Sequence, residues 1–350
     1  MPDALLFDPA FLASLSGVGN WSVGFITTVA ILGIAVLGLN VQWGYTGALN
    51  FGVAAFLMVG AYTTALITLP PAGDFQAYRF GLELPVWAGW IGGAVAGGVL
   101  AFIIGLPTLR LRRDFLAIAT IGVAAILRTV ANTTEGFVNR ARGLNGIPGF
   151  LQSDFTPSEY RWVLMITAVT ALVLCYLLVR ALTDSPWGRV LRAVRDNEAT
   201  AQAAGKATVP FRMQSFVLGG MLMGFAGALW AHRVGTIAPD AFSDLFGTFF
   251  LWTMLIVGGS GNHLGAVVGT LVVGFFWFGT PLIQEELPSG LGSQVFVIRQ
   301  FVIGLLVVLA VLLMPRGILP ERSRVSRWAP APPGRGWLAR LRRRTSPAAE

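Results

Sequence analysis

Between Asp8 and Asp74 the chain reads PAFLASLSGVGNWSVGFITTVAILGIAVLGLNVQWGYTGALNFGVAAFLMVGAYTTALITLPPAG (9–73), and no residue in it is charged. A helix needs about 20 apolar residues to cross the hydrocarbon core of a bilayer. This run holds more than one crossing, and we expect two, near Ser22 to Val41 and Phe51 to Leu69. Between them Gln42 to Asn50 (QWGYTGALN) is polar and carries glycine. Irregular backbone at membrane depth survives only where protein or a water-filled cavity supplies hydrogen-bond partners. Two readings stay open for this interruption: a pathway element within the membrane, or a cytoplasmic turn built by Gly44 and Gly47.

The remainder has the same character. Over 350 residues, 55% are hydrophobic and only 12% charged, which excludes a single water-soluble core because its surface needs far more charge. Further crossings are expected at Pro85 to Leu109, Phe115 to Ala131, Trp162 to Val179, Met213 to Ala231, Leu245 to Gly259, Leu264 to Ile283 and Phe296 to Met314. The fold class is therefore all-α, a polytopic membrane protein of about nine transmembrane helices, within a range of about 8–10. Gly89, Gly93 and Gly97 recur every four residues, giving one helix face that a neighbouring backbone can approach closely. Arg128 falls inside a crossing but near its end, where a long side chain snorkels to the interface. The single cysteine, Cys175, lies in an apolar run and reads as packing.

A formal charge of +8 raises the question of nucleic acid, yet the basic residues sit in short loops and a tail between apolar spans. Positive-inside anchoring accounts for them, and no nucleic-acid partner is expected. Residues 316–350 carry nine arginines with proline and glycine, and read as a basic, disordered tail at an anionic lipid surface. If that tail is cytoplasmic, the alternation of spans puts Arg110 to Arg113 and the 184–210 segment in the cytoplasm too. The same parity places the acidic N-terminus, residues 1–21, in the periplasm, together with the loop bearing Glu285 and Glu286. The N-terminus, MPDALLFDPA, lacks the basic region of a cleaved signal peptide. The transmembrane domain is expected over 22–315.

One segment is charged and amphipathic: DSPWGRVLRAVRDNEATAQAAG (184–205). Ser185 suits a helix N-cap, Pro186 the first helical position, and the helix is expected over about 185–204. Trp187, Val190, Leu191 and Val194 recur on one face, with Arg189, Arg192, Arg195 and Asp196 mainly on the other. That pattern suits a helix lying at lipid headgroups and equally a docking element for a soluble partner.

Chemistry is sparse elsewhere. His232 and His263 are the only histidines, and neither has a cysteine or carboxylate at metal-ligand spacing, so no metal site is expected. Gly205-Lys206 lacks the earlier glycine of a phosphate loop, and Ala207 stands where Ser or Thr is needed. The chain is not expected to hold a nucleotide or other cofactor, nor to be an enzyme. An intramembrane enzyme of lipid metabolism lacks clustered catalytic groups here, and a stand-alone secondary carrier or channel lacks mid-membrane ionisable residues.

The stretch RAVRDNEATAQAAGKATVPFRMQSFVLGGMLMGFAGALWAHRVGTIAPDAFS (192–243) resembles the cytoplasmic loop and following helix of the bacterial branched-chain amino acid ABC permeases, the Liv-type family. LGLNVQWGYTGALNFGVAAFLMVGAY, GLNGIPG, VGGSGNHLGAVVGT and MPRGIL resemble further family segments in the same order, over roughly residues 30–320. The resemblance implies a coupling helix that docks on an ATPase, its D-N-E-x-x-A-x-x-x-G pattern met by Asp196, Asn197, Glu198, Ala201 and Gly205. Arg192 and Arg195 would pair with acids of that ATPase or with lipid phosphate. It implies a substrate path near Asn40, Tyr45, Thr46, Gly47 and Asn50. It also implies a bacterial inner-membrane importer: this permease, a second homologous permease, two cytoplasmic ATPases that bind the ATP, and a periplasmic binding protein. Many members carry His where Val53 stands and Glu where Ala125 stands, and relatives also import urea or short amides.

Overall fold

A computed structural model describes residues 9–72, 78, 80–109, 113–134, 138–243, 245–279 and 316–321, with scattered positions between 301 and 312. It is all-α, as expected, and five of its helices are long and apolar enough to cross a membrane. The first, α1 (Pro9–Leu39), continues directly into one turn of π-helix, Asn40–Tyr45. The expected boundary between residues 21 and 22 thus falls inside a continuous helix. The other long helices are α3 (Val86–Thr108), α4 (Arg113–Thr133), α5 (Pro157–Asp184) and α8 (Thr208–Val234). A shorter apolar helix, α2 (Val53–Thr68), is buried among them.

The two crossings expected at Leu245 to Gly259 and Leu264 to Ile283 are corrected. A π-helical turn, Leu245–Phe249, leads into α9 (Phe250–Gly258), and α10 (His263–Phe278) follows after a bend of 119°. At about 1.5 Å per residue neither α9 nor α10 reaches across about 30 Å of hydrocarbon. The bend is built by Gly259 (φ 111°) and Gly261 (φ 81°), in backbone regions that residues with a Cβ rarely adopt. Among the described residues the chain has five long spans and this bent pair; most of the crossing expected at Phe296 to Met314 and the loop with Glu285 and Glu286 lie outside them, as does most of the tail.

Close packing of α2, α3 and α8 forms the centre. A Cβ added at Gly97 would stand 2.3 Å from the carbonyl oxygen of Gly220, and one at Gly60 2.0 Å from that of Gly224. The glycine repeat of α3 is the packing face that its spacing predicts: Gly93 and Gly97 meet α8, and Gly89 meets Thr64 and Thr68 of α2. Without water between helices, such backbone approach and the dispersion it allows replace the hydrophobic effect as the cohesive force. On the other side of α8, α1 joins α5 and α10 through a core that includes Ile31, Ile34, Leu37 and Met223.

The two ends of the bundle differ. At one end a two-residue antiparallel ribbon, β1 (Leu144–Asn145) with β2 (Thr236–Ile237), joins the α4–α5 connection to the end of α8. At the other lie the end of α5, the π-helical turn after α1, the α9–α10 bend and two short amphipathic helices, α6 (Pro186–Asp196) and α7 (Glu198–Ala203). The segment 316–321, expected at the start of a disordered tail, packs here instead. Ile318 and Leu319 donate backbone hydrogen bonds to Val257 and Gly258, carbonyls of the last turn of α9 that have no partner within their own helix.

Candidate functional site

The single helix expected over 185–204 is two helices. Ser185 caps α6 as expected, accepting from the Trp187 N–H, and Pro186 opens the helix. Asn197 breaks it: its backbone is extended (φ −155°, ψ 105°), and its side chain accepts from the Thr200 N–H to cap α7. An Asn that bonds its own downstream backbone competes with helix continuation. Gly205 then turns the chain at φ 76° towards α8.

The apolar stripe of α6 packs as its spacing predicts. Leu191 and Val194 are buried, and Gly188 presses so close to the end of α5 that a Cβ would sit 2.0 Å from the Thr183 carbonyl oxygen. Trp187 donates its indole N–H to Gln214 of α8 at 2.8 Å.

Arg195 and Glu198 do not point outward. The Arg195 guanidinium pairs with Glu321 at 2.8 Å and Asp196 at 3.0 Å, and donates to the Gly44 carbonyl in the π-helical turn. One side chain thereby joins α6, the turn after α1 and the C-terminal segment. Burial by itself would lower the guanidinium pKa, but the Glu321 and Asp196 carboxylates raise it above its ordinary value. Glu198 turns the other way, to Arg212 at 3.4 Å and the Thr208 hydroxyl at 3.0 Å, and so fastens α7 to the start of α8. The outward-facing residues are Arg189, Ala193, Asp196, Asn197, Thr200 and Lys206, which line an open groove of about 570 Å³ between α6 and α7.

Asn40, Thr46 and Asn50 are buried in the interior at 0–1% exposure. Asn40 accepts from the Gly261 N–H at 2.8 Å, which fixes its amide so that Nδ2 faces Nδ1 of His263 at 3.2 Å. Nδ1 must accept, so the imidazole proton sits on Nε2 and is donated to Thr183 at 2.8 Å, whose hydroxyl donates to Val179. Tyr45 stacks on His263 at 4.8 Å. Asn50 donates to Gln42, which donates to the Phe216 carbonyl of α8; Thr46 meets Ser215 at 3.0 Å. Gly47 supplies the positive φ (69°) that reverses the chain. The interruption after α1 is therefore a folded, hydrogen-bonded plug within the protein, and Tyr45 is the member of the expected set that borders an open cavity. Spacing alone does not reveal His263, Gly261 or Glu321 as partners here, because each comes from a segment more than 100 residues away.

Asn40→Leu is expected to strand the Gly261 N–H and His263 Nδ1, each buried unpaired group costing about 1–3 kcal/mol. A lowered thermal midpoint of the purified protein, with helix content unchanged below it, is the result to look for.

The family profile described as branched-chain amino acid transport system / permease component matches residues 22–312. The chain belongs to this permease family. Among its curated relatives, the high-affinity branched-chain amino acid transport system permease protein LivM of Salmonella typhimurium is 27% identical, over 87% of this chain and 71% of its own. The probable LivM permease of Methanocaldococcus jannaschii is 26% identical over 83% and 90%, and the probable LivH permease of the same organism 28% over 84% and 90%. No solved structure gives a significant match. The chain is thus similar to both LivM and LivH permeases. In this chain Asp196-Asn197-Glu198 marks a helix break, a cap and an internal ion pair.

Proposed function

We propose that the chain is one of two homologous permeases of an ATP-driven importer that carries branched-chain amino acids across the bacterial inner membrane, with α6 and α7 as its coupling element. Two cytoplasmic ATPases bind the ATP, and a periplasmic binding protein delivers the cargo. The observation that carries this reading is the pairing of an outward groove with an inward tie: the groove between α6 and α7 is open, while Arg195 behind it reaches both the turn after α1 and residue 321. A push on the groove by a closing ATPase pair reaches the plug through one guanidinium. On this reading the end that carries α6, α7 and residues 316–321 faces the cytoplasm.

Thr200→Trp tests the groove without touching the internal ties, since Thr200 is exposed at its rim. Reconstituted with its partners, this variant is expected to lose co-purifying ATPase by at least about tenfold while its own thermal midpoint holds, a loss of about 1.4 kcal/mol or more in docking. Full assembly and ATP-dependent leucine uptake in Thr200→Trp would remove the groove from the coupling surface. Import of urea or a short amide is the competing reading, favoured by Val53 and Ala125 standing where many members carry His and Glu. Val53 is fully buried at the start of α2 and offers no polar atom to a solute. Calorimetry on the co-purifying binding protein, with leucine, isoleucine, valine, urea and acetamide, separates the two.

A further inference from the structure

Beside the coupling element lies a cavity of about 440 Å³, bordered by the ends of α5 and α6, the π-helical turn, the α9–α10 bend and residues 319–321. Its size is that of a small-molecule pocket. Its chemistry is amphoteric. Arg192 stands on one wall, its guanidinium 5.5 Å from the centre of the Tyr45 ring, with a long contact of 3.5 Å to the Thr183 carbonyl. Among the described residues it has no carboxylate partner, although it is only partly exposed. Asp184 and Glu321 bring negative charge to the same cavity, Asp184 beside Arg180 at 3.8 Å on the lining and Glu321 paired through one oxygen with Arg195, and Leu264, Leu319 and Pro320 give it an apolar side.

We infer that this cavity is a second amino-acid site, one that takes an aliphatic zwitterion from the cytoplasmic side; the inference rests on the amino-acid reading of the importer. The ligand carboxylate pairs with Arg192, its ammonium lies between Asp184 and the Glu321 oxygen that Arg195 leaves free, and its side chain rests on the leucines. A bare anion leaves the two acids facing it, and a bare cation leaves Arg192 without a partner. A molecule bearing both charges and an aliphatic side chain satisfies all three walls. Bound there it bridges α6, the end of α5 and the C-terminal segment, the elements that a push on the groove must move relative to one another. Accumulated cargo therefore slows its own import. The effect is a coupling between two sites and needs only that the cavity binds better in one arrangement than in the other.

The test uses the complete complex of both permeases and both ATPases in proteoliposomes. Direct binding of radiolabelled leucine is measured without ATP and without binding protein, against isovalerate, isoamylamine and inorganic phosphate. Leucine is expected to bind at least about tenfold more tightly than any of the three, and leucine sealed inside is expected to slow ATP hydrolysis. Asp184→Asn, at an exposed carboxylate 3.8 Å from Arg180, is expected to weaken leucine binding about tenfold. Arg192→Gln is expected to do the same, with the thermal midpoint reporting that the chain still folds. Equal binding of isovalerate or phosphate would make this an anion site, and no leucine binding to the complex would mean that a partner carboxylate holds Arg192; either overturns the proposal. Because binding is read apart from transport, an importer that turns out to carry urea while still binding leucine here defeats the cargo reading and leaves this site standing.

Discussion

Gly224→Leu is expected to leave essentially no folded protein in the membrane. A Cβ at position 224 would lie 2.3 Å from the Gly93 carbonyl oxygen and 3.0 Å from the Gly97 Cα, while on another side the Gly224 carbonyl already touches Gly60 of α2. The obstructing atoms are backbone of α3, so no rotamer change relieves the clash. Overpacking a core by a flexible neighbour costs about 1–3 kcal/mol; prying the backbone of α3 away from α8 exceeds that and consumes most of a total stability of about 5–15 kcal/mol. Gly122→Leu is the control, because nothing lies within 4 Å of the Cβ it would add. Membrane-extracted yield and a single symmetric peak on size exclusion decide the matter. Normal yields of Gly224→Leu would mean that α3 and α8 stand apart in the membrane, contrary to the packing described here.

This contrast also shows what was legible in the sequence. Gly89, Gly93 and Gly97 announce a close-packing face by their own spacing, because one helix determines it. Their partners Gly60, Gly220 and Gly224 are equally glycine, yet nothing in the order of residues pairs them across helices. The same division runs through the site. Ser185, Pro186 and the Trp187 to Val194 stripe follow local rules of capping and periodicity, and the structure obeys them. Asn197 obeys a local rule as well, but its capping competes with an amphipathic pattern that runs on past it, and the cap prevails. The bent pair α9–α10 escaped because hydropathy counts apolar residues and not direction, and Gly259 and Gly261 turn what reads as two crossings into a V. Helical spacing puts Arg195 on the outer face, and the family resemblance sets Glu198 against an ATPase, whereas long side chains reach around a helix to whatever carboxylate or guanidinium lies nearest. Only the tertiary fold brings Glu321 and Arg212 there.

If α6 and α7 couple the chain to ATPases as proposed, Arg195→Ala is expected to uncouple uptake from ATP hydrolysis. The substitution removes the ion pair to Glu321, the contact to Asp196 and the donation to the Gly44 carbonyl, and with them the polar link between α6 and the plug. It leaves the groove residues and the buried Leu191 and Val194 in place, so ATPase docking survives. ATP hydrolysis by the reconstituted complex should therefore continue within about twofold of wild type while uptake falls at least about tenfold, a change of about 1.4 kcal/mol or more in the coupled step. Arg195→Lys is expected to recover little, since one ammonium on a flexible stem does not hold two carboxylates and a carbonyl in the fixed geometry of a guanidinium fork. Glu321→Gln keeps an acceptor for Arg195 and should fall between the two. The graded order of Ala, Lys and Gln variants is the discriminating result. A general loss of stability would lower hydrolysis and uptake together, and wild-type uptake in Arg195→Ala would show that the push travels through the packed faces of α6 and not through its arginine.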